Sequence, residues 1–174
     1  EIRVANLETG NTTLLYPVGD ELYKLDTLAI ATYAGTMSVP SVSCFAPHFL
    51  DTTLINFLTD DPGMIVNHGD RIDFTPGADF LNGDFSKLYG VTYNSNEFVT
   101  ISTNGTQNVI GPCAPDGPGQ TWTGISADPD GTLYASSTSI SESKLYTINP
   151  ATGVPTLIGE IENSPAIIDI AISP

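Results

Sequence analysis

General bases are scarce in this sequence: His48 and His68 are the only histidines among 174 residues. His48 follows Pro47 in the stretch TMSVPSVSCFAPHFLDT, and His68 lies in Asn67-His68-Gly69-Asp70, which reads as a turn. Both are expected as solvent-facing or turn residues rather than catalytic groups. Serines and acids abound, but no G-x-S-x-G places a nucleophile on a strained strand-to-helix turn. No catalytic residue is assigned, and the chain reads as a non-enzyme. Carboxylates offer a different chemistry, because hard cations take several oxygens from one compact loop. Asp79, Asn82 and Asp84 form the best such cluster, a candidate Ca2+ site, with Asp60 and Asp61 second; neither completes a calcium-loop pattern. Asp128 and Asp130 flank Pro129, where Asp serves a turn by bonding nearby backbone.

Trp122, Tyr89, Tyr134 and Tyr146 fall at recurring positions, so packing between sheets is their expected role. The other reading is a carbohydrate platform of aromatic faces. The loop CAPDGPGQ, Cys113 to Gln120, has neither the Lys nor the following helix of a phosphate cradle and reads as a surface connection. Cys44 and Cys113 lack the spacing of a zinc site. In an exported protein they are expected to pair as a disulfide, the alternative being two separate buried thiols. Asn11 and Asn104 each open an Asn-x-Thr triplet, the acceptor pattern for N-linked glycans.

Acids outnumber Lys and Arg by 20 to 5, and the net charge of −15 argues against a nucleic-acid partner, because phosphate binding needs a basic face. Nucleic acid and anionic membrane surfaces are therefore not expected partners. No apolar run approaches the about 18 residues that span a bilayer. Gly, Pro, Thr, Ser and Asn are abundant, the composition of secreted all-β material, so a secreted, extracellular or cell-surface location is expected. The first residue is Glu1 and no signal peptide is recognisable, which suggests a processed or excised chain.

The elements that must position these residues are short strands. Leu145-Tyr146-Thr147-Ile148 alternates in the manner of a strand, Asn149-Pro150-Ala151-Thr152-Gly153 is turn chemistry, and Pro155 to Gly159 returns as a partner. The same grammar appears at Phe98-Val99-Thr100-Ile101, Asn104-Gly105 and Val109-Ile110-Gly111. It appears again at Leu54-Ile55-Asn56-Phe57, Asp61-Pro62-Gly63 and Met64-Ile65-Val66. The intervening segments also recur: Trp122 to Ala127, Asp128 to Gly131 and Leu133-Tyr134-Ala135 correspond to Gly77 to Phe80, Asn82 to Asp84 and Leu88-Tyr89-Gly90. Each unit spells four strands in about 45 residues, a period that predicts an all-β, β-propeller-like array of four-stranded antiparallel blades. No stretch carries the 3.6-residue apolar period of a long helix.

The segments GISADPDGTLYA, SKLYTINPATGVPTLIGEI and IIDIAISP resemble the β-propeller repeats of secreted, multidomain bacterial surface proteins. The resemblance runs over Leu54 to Pro174 and, less closely, Ile2 to Leu15. It implies a scaffold or binding role and transfers no catalytic residue. Residues 1–34 then read as a partial blade with a hairpin around Glu8-Thr9-Gly10, residues 35–52 as an irregular crossing or linker, and residues 53–174 as blades, the last incomplete. Leu25 to Ala31 matches the terminal IIDIAIS in one register, while Leu22 to Asp26 matches Leu145 to Asn149 in another. The half-blades admit three readings: ring closure, a fragment of a longer chain, or completion by a neighbouring copy in a head-to-tail filament. The expected function is an extracellular, non-catalytic structural or assembly module whose partners are itself or other surface proteins. The alternative is a ligand-binding propeller for a glycan or peptide, with Ca2+ as its candidate cofactor.

Overall fold

A computed structural model describes the backbone of Ile2–Ala5, Thr12–Tyr16 and Ala29–Ile30, and both backbone and side chains of residues 41–69 and 73–173. Every regular element among the described residues is a β-strand. The strands β1 (Ile2–Ala5) and β2 (Thr12–Tyr16) form an antiparallel pair, the expected N-terminal hairpin. Its Glu8-Thr9-Gly10 turn, the acceptor Asn11 and the competing registers over residues 22–28 lie outside the described residues.

Three four-stranded antiparallel sheets follow. The first comprises β3 (Ala29–Ile30), β4 (Ser43–His48), β5 (Thr53–Leu58) and β6 (Asp61–His68). The second comprises β7 (Gly77–Leu81), β8 (Asp84–Val91), β9 (Glu97–Ser102) and β10 (Gln107–Pro112). The third comprises β11 (Thr121–Ala127), β12 (Leu133–Thr138), β13 (Ser143–Ile148) and β14 (Pro155–Ile161). In each, the strands pair in chain order, so every connection joins hydrogen-bonded neighbours. The runs Leu54–Phe57, Phe98–Ile101 and Leu145–Ile148 all lie on the third strand of their sheets.

Local chemistry explains the turns. Asn82 (φ 54°) and Gly83 (φ 71°) join β7 to β8 through two left-handed residues, the twist that a two-residue hairpin needs. In the Asn149–Gly153 turn, the Asn149 carbonyl accepts the amide of Gly153 at 2.8 Å, and its side-chain Oδ1 accepts Ala151 N at 2.9 Å. Thr52 (φ 52°) and Asn96 (φ 53°), 44 positions apart, turn the chain into β5 and β9.

Two local expectations change. Asp61-Pro62-Gly63 is not the hairpin turn. Leu58 already pairs with Asp61, so Thr59 and Asp60 make the turn, and Pro62 falls on the outer strand, where a missing donor costs least. The stretch expected as an irregular crossing contains β4. Its Cys44 and Ala46 point into the core, and Pro47 is tolerated because β3 reaches only Cys44 and Phe45 on that side.

The sheets pack face to face in chain order. On β9, Phe98 turns toward the third sheet, where it meets Trp122, Ile125, Leu133, Tyr146 and Ile148. Val99 and Ile101 turn the other way and, with Ala78, Phe80 and Leu88, cover Leu54 and Phe45 of the first sheet. This period-two alternation gives the middle sheet two buried faces. Each of the large apolar side chains so buried contributes about 1.5–3 kcal/mol. Burial is least on the fourth strands: β7 is almost wholly buried, while β6, β10 and β14 hold a single buried residue between them, Pro62.

Where first strands meet, backbone passes backbone. A Cβ on Gly77 would lie 2.5 Å from Ile125 N, and one on Gly124 would lie 2.9 Å from Asp169 Cα. Side chains tie the same positions together. Asp79 Oδ2 accepts Ala127 N at 2.9 Å, and Ser126 Oγ accepts Ile172 N at 3.4 Å. Asp169 to Ile172 thus run beside β11, while Ala166 and Ile167 bond to Thr138 and Ser143, and none of residues 164–173 forms the ladder of a blade's first strand that IIDIAIS suggests.

Candidate functional site

The residues picked for chemistry are dispersed into structural work. His48 is buried at the end of β4, not solvent-facing, with Nδ1 3.1 Å from Asp51 Oδ2. His68, at the end of β6, is half-buried, with Nε2 2.7 Å from Asn56 Oδ1. Asp79 holds the third sheet, as described above. Asn82 occupies a turn and its side chain packs on Gly131. Asp84 accepts the Ser86 hydroxyl at 2.5 Å and the Ser86 amide at 3.1 Å, with Lys87 Nζ at 3.2 Å. The hydrogen bonds from Ser86 and Lys87 hold its carboxyl below the ordinary range. Each of the three expected calcium ligands is thus engaged with a different neighbour. Asp60 accepts the Ser41 hydroxyl at 2.6 Å, and Asp61 is an exposed residue at the start of β6. No group of three or more His, Cys, Asp or Glu side chains gathers in metal-binding fashion among the described residues. Asp79 faces Asp169 instead. Although its outer side meets solvent, Asp169 is pushed up by desolvation against β11 and by the charge of Asp79.

The expected Cys44–Cys113 disulfide is not formed. Both cysteines are free and buried, Cys44 on β4 of the first sheet and Cys113 beyond β10 of the second. Their local sequences could not reveal this, because the separation is set by the packing of whole sheets. Burial raises the Cys44 thiol and pushes that of Cys113 up to about 12. Asn104 stands exposed in the β9–β10 turn, where its Oδ1 accepts Thr106 N at 3.1 Å.

Three of the recurring aromatics, Trp122, Tyr146 and Tyr89, pack as the simpler reading required. Trp122 and Tyr146 meet edge to face at 5.0 Å between centroids, and Trp122 Nε1 donates to the Cys113 carbonyl at 2.6 Å. Tyr89 stacks on Phe98 at 5.8 Å. The CAPDGPGQ loop is secured from behind: Tyr146 Oη accepts Asp116 N at 3.0 Å, and Lys144 Nζ donates to the Asp116 carbonyl at 2.9 Å.

A different aromatic group lines a cavity of about 760 Å3. Phe49 and Thr52 come from the β4–β5 loop, Phe74 and Pro76 from the approach to β7, and Tyr93 and Asn94 from the β8–β9 loop. Thr123 and the fully buried Trp122 close the floor at the start of β11, and Ile168 supplies one wall. Phe49 meets Phe74 edge to face at 4.7 Å, and Phe74 meets Tyr93 at 5.7 Å and 53°. Phe49 and Tyr93 are each 43 % exposed, so both residues reach solvent.

One residue sets this geometry from behind. Asp73 Oδ1 accepts Phe74 N at 2.8 Å and Asn94 Nδ2 at 3.0 Å, and Oδ2 accepts Ser95 N at 3.1 Å. The Phe74 carbonyl in turn accepts Tyr93 N at 2.8 Å. The two loop segments are thereby fixed side by side. Burial pushes the Asp73 carboxyl up, but the hydrogen bonds from Asn94, Ser95 and Phe74 outweigh it and hold the group below its usual range.

Sequence reasoning missed Phe49, Phe74 and Tyr93. A signal was present, since Phe49 and Tyr93 lie 44 positions apart, just after the second strands of successive sheets. Neither a protein-family model nor a curated protein matches the sequence.

Proposed function

We propose that this chain is an extracellular, non-catalytic binding module, built as a β-propeller-like array of four-stranded sheets, that takes a ligand in the Phe49–Phe74–Tyr93 cavity. The propeller-like arrangement is supported by the chain-order pairing of each sheet, by first strands that approach one another, and by the low burial of the fourth strands. Export is supported by the composition. Binding, the alternative on sequence grounds, becomes the preferred reading because of one observation. The cavity is of ligand size, two of its aromatic residues reach solvent, and it is assembled from loops of successive sheets. A glycan or a peptide fits the description at this level.

Trp122 is the sole tryptophan and forms the cavity floor, which makes its fluorescence a local reporter. Titration with neutral oligosaccharides and with peptides should give a saturable change for one class, weakened at least about tenfold by Tyr93→Ala. No saturable change with either class, or equal affinity in the variant, would overturn the reading.

The assembly reading is favoured by a second observation. The outer strands expose Met64 and Val66 on β6, Val109 on β10, and Leu157 and Ile158 on β14, an apolar content unusual for free edges. Sedimentation should then show concentration-dependent self-association that a Leu157→Lys substitution abolishes.

A further inference from the structure

Three side-chain donors in the cavity wall are already engaged within the fold. Thr52 Oγ1 donates to the Asp51 carbonyl at 2.7 Å, Asn94 Nδ2 to Asp73 at 3.0 Å, and Thr123 Oγ1 to the Ser136 carbonyl at 3.2 Å. A sugar is recognised chiefly through several hydrogen bonds to its hydroxyls, and beyond the Tyr93 hydroxyl and the Asn94 carbonyl this wall has few side-chain groups for them. Aromatic faces and a negative field remain.

That field has identifiable sources. The Asp73 carboxylate accepts the Asn94 side chain at 3.0 Å, and Asp51, in the same β4–β5 loop as Phe49 and Thr52, is 60 % exposed at its side chain with His48 Nδ1 3.1 Å from its carboxylate. None of the lining residues among those described is cationic, and the chain carries a net charge of −15. An ammonium group over the face of Phe or Tyr is attracted by the ring quadrupole, and nearby carboxylates add to that attraction. A lysine side chain combines both needs, since its methylene stem packs on apolar walls such as Ile168 and Pro76 while its charge meets the rings.

We infer that the occupant of the cavity is a lysine side chain of a basic peptide, its ammonium group held against Phe49, Phe74 and Tyr93 in the field of Asp51 and Asp73. The inference rests on the binding-module reading and names its ligand. It is specific in charge as well as shape, because a neutral chain of the same length makes the apolar contacts and forfeits the electrostatic ones.

The test is a pair of otherwise identical short peptides carrying lysine or norleucine at one position, titrated against the whole chain by Trp122 fluorescence. At low ionic strength the lysine peptide should bind about tenfold tighter, and added salt should erode that preference. Asp73→Asn should reduce the preference. Because that change also removes a loop contact, the salt dependence of the unaltered chain provides the independent measurement. Norleucine binding as tightly as lysine, or an oligosaccharide binding with no response to salt, overturns the inference and leaves the binding module standing. Failure of every ligand to bind overturns both.

Discussion

Replacing Gly77 with alanine probes the close approach of β7 and β11 on which the stacking of the second and third sheets depends. The added methyl would lie 2.5 Å from Ile125 N and 2.7 Å from both Cα and C of Gly124. Ordinary contact begins at 3.4 Å, so the strands must part locally by about 0.9 Å. All three atoms are backbone, so no side-chain rotation relieves the clash. Neither strand yields alone, because β7 is laddered to β8 and β11 to β12. Overpacking of this kind costs about 1–3 kcal/mol, with the upper part of that range expected here. Reduced freedom of the unfolded chain returns about 0.4–1 kcal/mol. The net loss is about 2 kcal/mol, or about 4–8 °C in Tm for a chain of this size. Gly159→Ala is the matched control. It lies on β14 with nothing within 4 Å of the new methyl, so its stability should be unchanged or slightly raised. Urea unfolding followed by Trp122 fluorescence compares the two. A Gly77→Ala midpoint equal to or above that of Gly159→Ala would refute the backbone-on-backbone packing of the sheets.

Two further outcomes follow from titratable groups. Burial raises both thiols, Cys113 to about 12, so neither Cys44 nor Cys113 should react with iodoacetamide in the folded chain at mildly alkaline pH. Both should react in denaturing urea without reductant, whereas a disulfide would yield no alkylation there. The folded pKa of Asp73 lies below its unfolded value near 3.8, so its stabilising contribution is complete above that pH and lost as the pH falls through the depressed value. Asp73→Asn should therefore cost about 1 kcal/mol at neutral pH, allowing for solvent screening, and the gap from the unaltered chain should close in acid. A gap that persists in acid would show that charge is not what Asp73 contributes.

Strands and turns were legible in the sequence because their causes are local. Alternating apolar residues at Leu145–Ile148 and Phe98–Ile101 specify a strand with two different faces, and Asn82-Gly83 and Asn149–Gly153 carry their own turn chemistry. The spacing of these signals also revealed that similar sheets recur along the chain. Local reasoning erred at Asp61-Pro62-Gly63 and at β4, where a proline reads as a break unless its place at a sheet's edge or beyond a short neighbour is known. The cavity depended wholly on tertiary structure. Phe49, Phe74 and Tyr93 come from three segments with no periodic relation strong enough to distinguish a site from a loop, and they meet because stacked sheets bring their ends together. The fate of Cys44 and Cys113 was decided in the same way. A strand is encoded by its neighbours in sequence, whereas a site is encoded by distances between sheets that no short stretch contains.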